Sequence, residues 1–229
     1  MSQVVSNSGH PAFISYPKQT AFGRNLSKNK IYEHSGANTR LKDLFVSQVE
    51  QIVWQYKLAP ETINLPAKPG VPEIQVFAIQ LKTPELNLDV LRCIDGAVQF
   101  PIVFELSFDG RTQVAAAYKR PNESDTSRWV LSDYFATEWL PSKVQRTVMP
   151  LALDLGSLYE QVLQRLIPLP ARQQEALADL VARVEQVTAK QCEVEKAASK
   201  LAKEKQFNRK VEINANLRQL KTELEQLSR

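Results

Sequence analysis

Histidine, cysteine and glycine are scarce in this chain: two histidines, two cysteines and seven glycines serve 229 residues. The shortage of glycine removes the usual phosphate-cradling turns. There is no G-x-x-x-x-G-K-[ST], no G-x-G-x-x-G and no G-x-S-x-G, which takes away the backbone geometry of P-loop, Rossmann and nucleophile-elbow chemistry. His10 and His34 stand far apart in a loosely patterned N-terminal part, where such residues are more often solvated than paired for metal or acid–base work. Cys93 and Cys192 have no second cysteine nearby, which argues against a disulfide framework or a zinc site; both are expected to be reduced, packed thiols. No run approaches the roughly 18 apolar residues of a membrane span. The opening MSQVVSNSGH has neither a basic n-region nor an apolar h-region, so a cytoplasmic protein without a membrane contact is expected. No cofactor, metal or catalytic set is expected from these residues.

What is present reads as α+β. Residues 1–37 are rich in Ser, Asn and Gly, and promise a frayed start and one edge strand around Ala12-Phe13-Ile14. Leu41 to Leu58 places Leu41, Leu44, Phe45, Val49, Ile52, Val53 and Tyr56 at helical spacing, with Asn38 or Thr39 as N-cap, and predicts one amphipathic helix. EIQVFAIQL (73–81) reads as a strand buried on both faces, and Leu86 to Val98 as a short helix capped by Asn87. Two β-rich runs flank Asp109-Gly110, the signal for a two-residue type I′ hairpin. A further strand is expected within Arg128 to Ala136, beyond the polar loop RPNESDTS, and a helix from Leu155 to Ile167. Pro168 and Pro170 then mark a boundary, giving a domain over 38–170, a small mixed or antiparallel sheet with packed helices, and a tail over 171–229.

The tail lacks proline and glycine altogether. Leu180, Val184, Val187, Gln191, Val194, Ala198 and Leu201 recur at alternating steps of four and three, and Ile213, Leu217, Leu220, Leu224 and Leu227 do so again, a coiled-coil-like pattern. The register breaks between Leu201 and Ile213, within KEKQFNRK. That leaves a stuttered helix or an antiparallel pair; the absence of a turn residue favours the continuous helix. A leucine stripe on an isolated helix needs cover, so Ile213, Leu217, Leu220, Leu224 and Leu227 are the candidate partner-binding residues. The positive charge also concentrates here, with 12 Lys/Arg against 9 Asp/Glu in the tail. Lys196, Lys200, Lys203, Lys205, Arg209 and Lys210 form a basic run that suits phosphates, although on an exposed helix such runs are usually a solvated face.

A strand acid followed by Glu-x-Lys would indicate a nuclease, with Glu105 and Lys119 the nearest residues. No lysine here has an acid two positions before it, and the Asp109-Gly110 turn pairs Glu105 with Val114, which turns Glu105 and Lys119 to opposite faces. A divergent site from scattered carboxylates such as Glu33, Asp95 and Glu105 is the remaining enzymatic reading. Trp129, Tyr134, Phe135 and Trp139, near Arg128, Lys143 and Arg146, suit a hydrophobic core better than base stacking.

Several phrases together, SKNKIYEH (27–34), VEQIVWQYKLAPETINLPA (49–67), EIQVFAIQLK (73–82), LRCIDGAVQFPIVFEL (91–106), AAAYKR (115–120) and KQFNRKVEINANLRQLKTEL (205–224), resemble an uncharacterised bacterial family of domain-of-unknown-function proteins. The resemblance implies a setting beside helicase and DNA-methyltransferase genes of restriction-like or phage-defence clusters, and carries over no catalytic residue. The expectation is therefore an accessory, non-catalytic subunit that docks on a helicase or methyltransferase partner, or on itself, through its helical tail. The alternatives are a nucleic-acid-binding module using the basic tail to contact DNA, and a divergent nuclease.

Overall fold

The computed structural model describes residues 10–122, 124–125 and 128–229. The frayed start expected at residues 1–9, and part of the RPNESDTS loop, lie outside them. The chain divides into two compact units, Met1–Leu166 and Ile167–Arg229.

The first unit is built on a seven-stranded mixed sheet. Its elements run β1 (His10–Ser15), β2 (Ala21–Asn25), α1 (Lys28–Ser35), α2 (Thr39–Gln48), β3 (Val49–Leu58), α3 (Pro60–Ile63), β4 (Ile74–Leu81), α4 (Leu88–Ala97), β5 (Ile102–Phe108), β6 (Arg111–Pro121), β7 (Trp129–Ala136), β8 (Leu140–Pro141), β9 (Arg146–Val148) and α5 (Leu155–Gln164). The strand order is β2-β3-β4-β5-β6-β7, with β8 also on β6, while β1 and β9 pair separately in parallel. Among the described residues only β4 and β5 are parallel neighbours within the larger sheet, and α4 is the crossover such a pair requires. Asn87 caps α4 by accepting from Asp89 N–H at 2.9 Å. The hairpin between β5 and β6 turns at Asp109 and Gly110, both at positive φ, and pairs Phe108 with Arg111.

The pleat sends Phe104, Leu106 and Ala115 to the side where Ile31 of α1, Phe45 of α2 and Val90, Leu91 and Ile94 of α4 close a core with Phe77 and Ile79. Each of the larger side chains, taken from water, contributes about 1.5–3 kcal/mol. The opposite side receives β1, β9 and α5: Arg146 bonds both Glu105 and the Ile14 carbonyl, and Arg165 bonds the Pro11 carbonyl.

The helix expected over Leu41–Leu58 is half right. Asn38 caps α2 by accepting from Leu41 N–H at 2.9 Å, but the helix stops at Gln48, and Val49–Leu58 is a ten-residue strand between β2 and β4. Register shifts interrupt its pairing with β4 between Val49 and Gln51 and again between Trp54 and Tyr56. An inserted residue flips the alternation. Val49 and Ile52, three apart, therefore join the same core with Trp54, while Tyr56 packs on Tyr16. Apolar residues three and four apart imitated a helix because the strand is bulged.

The second unit comprises α6 (Leu177–Lys203) and α7 (Phe207–Ser228). They run antiparallel, which corrects the expected continuous helix. Arg183 near the start of α6 donates to the Leu227 carbonyl at 3.1 Å, Lys190 pairs with Glu223 at 3.1 Å, and Val194 and Ala197 pack with Leu217. The reversal occupies Glu204-Lys205-Gln206, where Glu204 and Gln206 take extended backbone angles. No residue with positive φ is required there, so the missing glycine was a poor guide.

Candidate nucleic-acid interface

Toward the turn, the hairpin seam is thin. Val194, Ala197 and Leu217 are its buried centre, with Leu201, Leu220 and Leu224 half-buried around them. Ala197 takes the place expected of Ala198, which is exposed, as is Gln191. Toward the open end Leu177, Leu180, Val181 and Val184 of α6 are also buried, and Arg183, buried beside them, supplies the polar tie. Arg183 makes a two-pronged contact with Glu175, Nε to Oε1 at 2.7 Å and Nη2 to Oε2 at 2.8 Å, and also donates to the carbonyls of Pro170 and Leu227. Hydrogen bonds from Arg183 hold the Glu175 carboxyl down to about 2. A cation on the last carbonyls of α7 also suits the negative end of its dipole.

The residues proposed from sequence for partner docking thus fall largely on the seam. Leu217, Leu220 and Leu224 pack against α6, Ile213 and Leu227 are half-buried, and the stripe is already covered within the chain.

The basic run occupies the other end of the hairpin. Lys196, Lys200 and Lys203 close α6, Lys205 lies in the turn, Arg209 and Lys210 open α7, and all six are exposed. The one acid among them, Glu204, is turned inward on the backbone: its Oε1 accepts from the N–H groups of Lys205 at 2.8 Å and Gln206 at 2.9 Å. Those bonds hold the carboxyl below the usual range. Glu204 satisfies the turn, and the cations around it are left to the solvent side. Phe207, the first residue of α7, is 78% exposed among them. Phe207 carries no signal in the sequence, since the seam pattern begins only at Ile213.

The carboxylates considered for catalysis sit in separate surroundings. Glu33 is exposed on α1. Glu105 is buried and accepts from Nη1 and Nη2 of Arg146, each at 2.7 Å. Asp95 and Lys119 form a different, fully buried arrangement. The Lys119 ammonium donates to the carbonyls of Asp95 (2.6 Å) and Val98, lies 3.5 Å from Asp95 Oδ1, and sits 5.6 Å from the centre of the Trp129 ring. It therefore closes the C-terminal end of α4, where free carbonyls attract a cation. The Tyr134 hydroxyl donates to Asp95 Oδ2. Tyr159 accepts from Lys119 N–H at 2.9 Å and donates to the Ala117 carbonyl at 2.6 Å, across the register shift in β6. Burial pushes the Asp95 carboxyl up to about 6, against the pull of Lys119, and the same burial lowers the Lys119 ammonium. The geometry suits a helix anchor.

The other sequence candidates also find structural partners. His10 opens β1, its Nδ1 accepting from Ala12 N–H and its ring edge-on to Phe13; His34 is exposed in the last turn of α1. Cys93 is buried with Sγ 3.0 Å from Ser35 Oγ, whereas Cys192 is exposed on α6 and so is not the packed thiol expected. Phe135 is buried, and Tyr134 and Trp139 pack against the α4-side core. Among the described residues no group of three or more His, Cys, Asp or Glu gathers as for a metal ion, and no helix is long and apolar enough to cross a membrane.

Residues 14–224 match the family model described as Domain of unknown function (DUF4391), and the chain belongs to that family. No curated protein and no solved structure matches it.

Proposed function

We propose that this protein is an accessory subunit of a bacterial DNA-processing system of the restriction-like or phage-defence kind, and that it contacts nucleic acid through the tip of the α6–α7 hairpin. The observation that supports this reading is the division of labour along the hairpin. The leucines that would have docked a partner helix pack on α6, whereas six cations and an aromatic ring remain exposed at the turn with the single acid folded onto the backbone. Flexible cations on a convex tip follow phosphates without reading bases, so the contact is independent of sequence and weakens with salt. The neighbouring helicase or methyltransferase partner is what the family resemblance implies. The sheet unit, whose charges are internally satisfied around Lys119 and Glu105, serves here as the body that such a partner holds.

The test is binding of the full chain to fluorescein-labelled DNA at several salt concentrations. Replacing Lys200, Lys203, Lys205 and Arg209 together by Glu should weaken binding at low salt and flatten the slope of log K against log salt by about 3 units, at 0.7–0.9 per lost phosphate contact. A slope that does not change would remove the tip from the interface.

A further inference from the structure

The basic surface of the hairpin extends beyond the six residues of the tip. At 3.6 residues per turn, Phe207, Lys210, Val211, Asn214, Arg218 and Lys221 fall within a sector of about 100° on α7. Ile213, Leu217, Leu220 and Leu224 occupy the adjoining sector, turned to the seam. All six residues of the first sector are exposed, Phe207 to 78% and Val211 to 54%. Over that length the sector holds no carboxylate, and among the described residues Lys210, Arg218 and Lys221 enter no ion pair. The result is a track about 20 Å long, cationic along its length, with a phenyl ring at its beginning.

We propose that this face of α7 takes single-stranded nucleic acid, with Phe207 stacking on a base while Lys210, Arg218 and Lys221 follow the phosphates. The inference rests on the nucleic-acid reading of the hairpin and specifies its ligand. A phenyl ring stacks on a base only where the base presents a free face, which a duplex interior does not offer and a single strand does. A face meant only to stay solvated gains nothing from a Phe and a Val one turn apart. The cations would serve a duplex equally well, as phosphate or guanine contacts, so Phe207 is the residue that selects the single strand.

Anisotropy of the full chain with a labelled 20-mer single strand and the matching duplex distinguishes the alternatives. Phe207→Ala should weaken single-strand binding about tenfold, within the range of one stacked base. It should leave the salt slope unchanged and the duplex affinity within about twofold. Phe207→Trp should restore affinity and show indole quenching on addition of the strand. Arg218→Glu with Lys221→Glu should lower the single-strand salt slope by about 1.4 units. Phe207 is exposed, so helicity by circular dichroism should be the same in every variant. If the tip charge reversal weakens binding while Phe207→Ala and the Arg218/Lys221 pair leave it unchanged, the track is overturned and the tip reading survives. If the unaltered chain shows no salt-dependent affinity for either ligand, both fall. Release of a co-purifying protein by Phe207→Ala with nucleic-acid binding intact would make this face a protein contact and overturn the proposal.

Discussion

In the sheet unit Lys119 is 2% exposed and its ammonium is taken up by the carbonyls that end α4, by Asp95 and by the Trp129 ring. In the hairpin, Lys196, Lys200, Lys203, Lys205, Arg209 and Lys210 are all exposed, and their local acid is occupied by backbone N–H groups. A buried cation must be fully satisfied or it costs several kcal/mol, so its presence reports on folding. Exposed cations gain little from one another or from folding. The proposed nucleic-acid contact accounts for the concentration of six of them at one end of the hairpin.

The largest effect should come from the sheet unit. Lys119→Met leaves Asp95 and the α4 carbonyls without their cation, and should lower the stability of that unit by roughly 3–5 kcal/mol in urea denaturation. A loss under about 1 kcal/mol would mean that the ammonium is no anchor, and the contrast between the units would fail. In the hairpin, Leu217→Ala should cost about 2–3 kcal/mol, the low end for a core leucine because the seam is thin and can close. Hydrogen exchange should show lost protection along α7 with α4 and β5 unchanged.

These two residues also show what could be read from sequence. The pattern around Leu217 was visible because a heptad-like seam repeats one residue type at fixed steps, whether its cover is a partner or the same chain. The direction of that cover was not, since Glu204–Gln206 reverses the chain with extended residues and no glycine. The β5–β6 hairpin was legible to the residue because Asp109-Gly110 fixes register locally. The α2–β3 junction was hidden by two bulges that gave a strand the spacing of a helix. Lys119 was weighed only as half of a nuclease motif, because its partners are backbone carbonyls of Asp95 and Val98, and carbonyls leave no mark in a sequence.

A pH series sharpens the comparison further. Burial raises the Asp95 carboxyl to about 6, so the folded protein binds a proton that the unfolded chain releases near 4. The sign follows: the stabilisation is fully present below about pH 4 and is lost as pH rises through 6, by up to about 3 kcal/mol. Asp95→Asn should abolish that decline, read as the difference between the two proteins' urea midpoints from pH 4 to 7, which cancels the carboxylates they share. Equal slopes would mean that Lys119 keeps Asp95 ionised throughout.

The smallest effect is the most discriminating for α7. Phe207 and Leu217 lie on one helix, yet only Leu217 touches the seam. Phe207→Ala removes a larger side chain, but one that is mostly in water already, so little burial is lost. Alanine also favours the helix over phenylalanine by up to about 0.5 kcal/mol. The two terms should leave stability within about 0.5 kcal/mol of the unaltered protein, measured by urea denaturation alongside Leu217→Ala. A loss near that of Leu217→Ala would show the ring packed in solution, and would remove the exposed aromatic on which the single-strand track depends.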